Sequence, residues 1–426
     1  MPFAADEPEE YELLQALAPA AYRNGEPRPE ILAALGDKDP ARRAAGAFVL
    51  ARTLPAEAQE MVVRLLGDKD TRVRLFAARA LVRAGGSAGL PVLIALLGEA
   101  RLPLAWQAEA LLTESAGARR PATILTGSAA SRKECRAAWE AWWKAESGRL
   151  DLSRVRWRED DRGSILVAEL DEGRLANYGR DYRLRWETEG PHGPLDVQLL
   201  PSGRLLVAEN HAGLVSERDR SGKVVREMNL ARPGRSGASL VGSCQRLPDG
   251  HTLIATRKQL QEADAEGNPL WSVKWDGLLW DAHKLRDGRI VALTADDTEK
   301  SWHGAGPSPG HVAILSAQGK ELGSFGQNEL KVLMPWSRLT VLPNGPILVP
   351  CRSENSQVVD YTLTGEKVWE CGSPPGGDCT CAARLPNGHT LVAMPRASKV
   401  LEVDRGGKVV HELKIEGRPW HVQVVR

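Results

Sequence analysis

Leu247-Pro248-Asp249-Gly250-His251-Thr252-Leu253-Ile254-Ala255 reads as a tight turn leading straight into an apolar strand, and the chain repeats the phrase. Leu200-Pro201-Ser202-Gly203, Leu285-Arg286-Asp287-Gly288, Leu342-Pro343-Asn344-Gly345 and Leu385-Pro386-Asn387-Gly388 are each followed by a run of the same kind, such as Leu205-Leu206-Val207-Ala208 and Thr390-Leu391-Val392-Ala393. Glycine, with Asn or Asp before it, accepts the positive φ that a two-residue hairpin connection needs. A second hairpin follows in most units, as in Glu217-Arg218-Asp219-Arg220-Ser221-Gly222-Lys223-Val224-Val225 and Glu402-Val403-Asp404-Arg405-Gly406-Gly407-Lys408-Val409-Val410. Each unit therefore carries about four strands, the content of one propeller blade.

The first unit lacks its opening strand. Gly163-Ser164-Ile165-Leu166-Val167-Ala168 matches the second strand of the other units, and nothing before it matches their first. The missing piece stands at the other end of the chain: Trp420-His421-Val422-Gln423-Val424-Val425-Arg426 falls into register with Leu195-Asp196-Val197-Gln198-Leu199-Leu200-Pro201. The expectation is an all-β six-bladed propeller over residues 163–426, closed by the C-terminal strand, which removes the open seam between first and last blades.

Residues 1–146 follow a different grammar, with Ala, Leu and Arg at helical spacing. Leu35-Gly36-Asp37-Lys38-Asp39 recurs 31 residues later as Leu66-Gly67-Asp68-Lys69-Asp70, and after the same interval as Leu97-Gly98-Glu99. Such a period marks stacked helix pairs, an α-solenoid of HEAT-like repeats. Asp39 and Asp70 stand where N-caps are wanted, and Pro40 takes the first helical position, so helices are expected over Ala41 to Arg52 and Thr71 to Arg83. A last helix, Arg132 to Ala145, places Trp139, Trp142 and Trp143 on one face. That face reads most plainly as a cap on the solenoid or a dock for the propeller, and alternatively as a partner groove. Residues 147–162 read as a polar linker.

Composition narrows the function classes. The chain has 426 residues, 42% of them hydrophobic, and 56 basic against 55 acidic side chains give a net charge of +1. No global field favours nucleic acid or an anionic membrane. No apolar run is long enough to span a bilayer, and the N-terminus has no signal-peptide pattern, so the expected location is cytoplasmic. Six cysteines in a chain of this size do not make a disulfide scaffold. Cys379-Thr380-Cys381, with Cys371 upstream, is tighter than ordinary zinc spacing, and these residues read as small buried hydrophobes. No cofactor and no metal are expected.

The first strand of each blade lines a propeller's channel, so the residues five and three before the turn position carry the chemistry. At the first position stand Asp196, Ser243, Asp281, Arg338, Cys381 and His421; at the second, Gln198, Gln245, His283, Thr340, Ala383 and Gln423. Two Asp and two His converging on one axis could hold a divalent cation or position a general base. The competing reading is that these groups pair with one another and with water. Asp196, Gln198, Gln245, Asp281, His283, Arg338, His421 and Gln423 are the candidate channel-binding residues. An insertion in the fourth blade, Thr294 to Gly310, offers Trp302 and His303 as a candidate partner loop, its plainer reading being a Gly/Pro loop. Trp280 and Trp420, each one residue before a channel position, read as wedges between blades.

Residues 27 to 117 resemble HEAT-like repeats of the short phycobilisome-lyase type. The Leu-Pro-Asn-Gly-His-Thr-Leu-Val-Ala and Glu-Val-Asp-Arg-Gly-Gly-Lys-Val-Val phrases resemble propellers of the quinoprotein-like (PQQ-like), NHL-like and arylsulfotransferase-like kind. Their combination resembles HEAT-plus-propeller proteins of high-GC bacteria such as planctomycetes. The resemblance implies a blade architecture and leaves activity open, because these phrases specify a blade. Quinone dehydrogenases bring metal and quinone ligands that this chain does not match. Arylsulfotransferases need a catalytic histidine, for which His283 and His421 are available. The leading expectation is a non-enzymatic scaffold for protein partners. The alternatives are a channel enzyme (hydrolase, lyase or sulfotransferase-like) and a sensor of a small ligand in the channel.

Overall fold

The computed structural model describes residues 22–23, 26–50, 54–123, 125, 129–155, 157, 163–230, 240–285, 287–296, 308–327, 330–332, 337–342, 346–351, 357–372, 379–385 and 387–425. The chain divides into two compact units, with the break along the sequence between Asp160 and Asp161.

In the first unit the 31-residue period appears as helix pairs. The second helix of each pair starts at the same phase, in Pro40–Leu50, Thr71–Arg83 and Leu102–Ala116. Asp39 Oδ1 accepts from Ala41 N at 2.9 Å and Asp70 Oδ1 from Arg72 N at 2.8 Å, so both carboxylates satisfy amides that the helix cannot. The same period carries a ladder of ion pairs. Arg43 grips Asp68 of the next repeat through Nε at 2.7 Å and Nη2 at 3.0 Å, and Arg74 grips Glu99 at 2.9 Å. The guanidinium of each also holds a carbonyl of the loop before its own helix, Asp37 O for Arg43 and Asp68 O for Arg74. Repeats are thereby fastened both within and between pairs.

The last helix of this unit is Ala129–Glu146. Trp139 and Trp142 are buried in the helical core with their rings edge to face at 5.2 Å, and Trp143 packs against that core. These rings cap the solenoid, which removes the partner-groove alternative. The segment after the helix is not polar throughout: Leu152 is buried in the same core, Leu150, Val155 and Trp157 pack on it, and Arg83 lies over the Trp157 ring. No helix among the described residues is long and apolar enough to cross a membrane.

The second unit holds six antiparallel sheets, one per blade. The second to sixth blades are sequential, opening on Pro194–Leu199, Val241–Arg246, Leu278–Lys284, Thr340–Val341 and Cys381–Arg384. In the first blade Pro419–Val424 pairs with Ile165–Glu169, with Val422 opposite Val167 and Val424 opposite Ile165. The ring is closed by its C-terminus, in the register that the sequence repeat implies.

The turns differ from the expected two-residue kind. Leu247 N donates to His251 O at 2.8 Å across three residues, with Gly250 at φ 91°. A three-residue connection of this kind is ordinarily a type I turn followed by a left-handed residue, and Leu385 N donates to His389 O at the same 2.8 Å. Proline at the first turn position fits this geometry, because its fixed φ suits a type I turn. In the second hairpins the left-handed position is glycine in five blades, for example Gly222 and Gly407, but Tyr182 at φ 59° in the first blade. Tyr182 stacks on His411 of the sixth blade at 3.8 Å and its hydroxyl donates to Glu402, so the strained residue fastens the closing joint.

Six apolar clusters fill the six joints between blades. Trp280 lies with Leu278 and Val291 of the fourth blade against Leu339 and Ile347 of the fifth, the wedge expected of it. Cys371 and Cys379 belong to the joint between fifth and sixth blades, and Cys381 to that between sixth and first.

Candidate functional site

Five of the six inner strands carry polar residues at both channel positions, and the blade positions form rings; the sixth carries Cys381 and Ala383, which pack in the apolar joint with the first blade. At the first position these residues reach across to the next blade. Asp196 Oδ2 accepts from Cys244 N at 2.9 Å, Ser243 Oγ from Ala282 N at 3.2 Å, and Asp281 Oδ2 from Leu339 N at 3.0 Å. Arg338 N donates to Thr380 O at 2.8 Å, Cys381 Sγ lies 3.4 Å from Val422 O, and His421 Nδ1 accepts from Val197 N at 3.3 Å. All six joints thus carry one such contact. At five joints a side chain satisfies the backbone group it meets; at the joint between fifth and sixth blades the contact is backbone to backbone, where Arg338 forms a bridge with Cys381.

Arg338 occupies the centre of the ring. It is 1% exposed; its Nη2 lies 2.8 Å from Asp196 Oδ2 and 3.0 Å from Asp281 Oδ1, and its Nη1 donates to Gly242 O at 2.7 Å. The guanidinium therefore stands between the two carboxylates, so Asp196 and Asp281 are paired with a side chain of the ring itself. Burial alone would raise the Asp281 pKa, but the charges of Arg338 and His283 outweigh it and hold it down to about 2. Burial lowers His421 to about 4 against the pull of Asp196. His283 goes the other way: burial would lower it, and the Asp281 carboxylate raises it. Burial pushes the Cys381 thiol up to about 12, so it is no nucleophile.

The second ring is partly occupied in the same manner. Gln198 Oε1 accepts from Arg246 N at 2.7 Å, Gln245 clasps both N and O of Lys284, and Thr340 Oγ1 donates to Ala382 O at 2.7 Å. His283 and Gln423 differ. The His283 side chain is 25% exposed, and its Nε2 lies 3.3 Å from Asp281 Oδ2, a close approach of charges without hydrogen-bond alignment. Gln423 Oε1 is buried without a partner. Trp302 and His303 lie outside the described residues.

A further set of fasteners, which sequence reasoning missed, joins third strands to the inner strand of the next blade. Glu217 pairs with Arg246 at 3.1 Å, Glu262 with Lys284 at 2.6 Å, and Asp360 with Arg384 at 3.1 Å. Their signal was legible: each base immediately precedes the turn leucine (Arg246-Leu247, Lys284-Leu285, Arg384-Leu385), and each acid stands two residues before the second turn. Among the described residues, Asp249, His251 and Glu262 form one grouping of metal-ligand type. Glu262 already carries Lys284, His251 at 2.9 Å and the Trp271 indole at 3.2 Å, so its charge is compensated within the blade assembly.

Fold and site together define the class: HEAT-like helical repeats followed by a six-bladed β-propeller. The HEAT-repeat family matches residues 28–112. No curated protein matches the chain in sequence. Among solved structures, a Bacteroides caccae protein of unknown function is 18% identical, covering 61% of this chain and 98% of its own, with a TM-score of 0.46. Virginiamycin B lyase from Staphylococcus aureus is 12% identical over 61% and 83% of the two chains, with a TM-score of 0.41. The dihydro-heme d1 dehydrogenase NirN is 14% identical over 74% and 91%, with a TM-score of 0.40. At these values none of the three bears on what this chain does.

Proposed function

We propose that the protein is a non-enzymatic interaction scaffold in which a helical repeat domain (1–146), with the following segment packed on it, and a propeller (163–426) present surfaces to protein partners. One observation carries this reading: nearly every polar group on the channel axis is engaged in fastening one blade to the next. A site built for turnover keeps polar groups free for a substrate, whereas here Asp196, Asp281 and Arg338 satisfy one another and the backbone. The result is a stiff disk. Its outer strands each leave one large apolar side chain exposed, Leu184, Val224, Leu270, Leu322, Val368 and Val410, on the sheet edges that other chains can approach.

A second reading rests on His283. An imidazole that is partly exposed and set against a buried ionised carboxylate has the form of a general base with its orienting group, as a hydrolase, lyase or sulfotransferase-like enzyme would use it. A ligand sensor would use the same residue with Gln423. The PQQ-like and NHL-like kinship belongs to this finer level and is likewise a proposal.

Three variants separate the readings in cross-linking and co-purification from the source cell. These are Arg42→Glu with Arg64→Glu on the exposed helical surface, Leu322→Lys with Val368→Lys on the rim, and His283→Gln in the channel. The scaffold reading expects the same partner set with wild type and His283→Gln, and its loss with a surface variant. A small-molecule turnover abolished by His283→Gln, with the partner set unaffected by both surface variants, overturns it.

A further inference from the structure

Five channel side chains form one line of contacts: His421, Asp196, Arg338, Asp281 and His283. His421 Nδ1 lies 3.2 Å from Asp196 Oδ1, Arg338 bridges the two carboxylates, and His283 Nε2 lies 3.3 Å from Asp281 Oδ2. Two carboxylates against one guanidinium leave one negative charge over. Asp281 is 0% exposed, so that charge is costly unless a neighbour compensates it. One proton on an imidazole brings the sum to zero, and a second would overshoot.

The two histidines are not equivalent places for that proton. The His283 side chain is partly exposed, and its Nε2 lies 3.3 Å from Asp281 Oδ2, so a positive charge on the ring stands close to the buried carboxylate. His421 is 7% exposed, and its Nδ1 already accepts the Val197 N–H that joins the first blade to the second. Protonating that atom makes it a donor to Asp196 and leaves the Val197 amide without an acceptor. We infer that the propeller channel is a one-proton lock, charged at His283 and neutral at His421, which fastens the blades best at intermediate pH and loosens when pH moves in either direction. This stands independently of the scaffold reading.

The charged and titratable groups facing the two rings agree with the assignment. His283 meets Asp281, Arg338 and Asp196, with Asp281 the dominant partner, and its affinity for protons is raised. His421 meets Asp196, Arg338, Asp281 and His283, and burial lowers it to about 4. For His283, raised above the ordinary 6.5, the native state holds its proton longer than the unfolded chain. That stability is complete below 6.5 and is lost as pH rises through the native value. For His421 the unfolded chain takes the proton first, so stability is complete above 6.5 and is lost as pH falls toward about 4.

The test is a pH titration of the full chain with ¹³Cε1-labelled histidine, followed by NMR, beside melting temperatures of wild type, His283→Gln and His421→Gln over the same range. One resonance, absent from His283→Gln, should remain protonated above 6.5; another, absent from His421→Gln, should stay neutral to near pH 4. Relative to wild type, His283→Gln should flatten the alkaline arm of the melting profile and His421→Gln the acid arm, each by about 2–3 °C per pH unit. Arms unchanged in both variants overturn the lock. If a variant does not fold, the wild-type spectrum still decides: a set of nine imidazoles in which none stays neutral below about pH 5 refutes the assignment.

Discussion

Replacing Arg338 with Met removes the cation at the centre of the propeller while keeping most of the side chain's length. Asp196 and Asp281 then lose their shared guanidinium and are left with His283 alone to offset two negative charges, and Gly242 O loses its donor. Breaking a buried ion pair from one side costs about 3–5 kcal/mol, because the remaining charge keeps its desolvation penalty. The depression of Asp281 from 3.8 to about 2 is worth roughly 2.5 kcal/mol, of the same order. For a unit of this size about 2 °C of melting temperature accompanies each kcal/mol, so the propeller transition should fall by about 6–10 °C. Calorimetry at neutral pH measures it. Adding Asp281→Asn should recover part of the loss, since the second substitution removes the stranded charge. The pH dependence has a definite sign. In wild type the depressed carboxylate adds stability that is full above 3.8 and lost as pH falls through about 2, and the Met variant should lack that acid-limb dependence. An unchanged melting temperature, or a double variant no better than the additive sum, would refute the view that these charges lock the ring.

Deleting Trp420 to Arg426 leaves the first blade with three strands and uncovers Ile165 and Val167; the propeller transition should drop sharply or vanish, as read by calorimetry. Arg43→Ala removes both bonds to Asp68, and with the pair mostly buried the helical unit should lose about 1–2 kcal/mol by urea titration, with no effect on the propeller. Produced as separate chains, residues 1–160 and 161–426 should each show native circular dichroism and a cooperative melt; failure of either would contradict the reading of two folding units.

The repeats were open to sequence reading because they rest on local chemistry. Turn residues at fixed offsets, the 31-residue spacing of Leu35, Leu66 and Leu97, and the match of Trp420–Arg426 to Leu195–Pro201 all express contacts made within a repeat or between equivalent positions. The channel positions were legible for the same reason, since alternation along a strand decides which residues face the axis. What those residues do there was not. Asp196, Asp281 and Arg338 come from the second, fourth and fifth blades, and only ring closure brings the guanidinium between the two carboxylates. A pair of aspartates and a pair of histidines suggest a metal site when counted along the chain. The tertiary structure places an arginine at their centre, because burying two carboxylates requires a cation and the fold supplies its own.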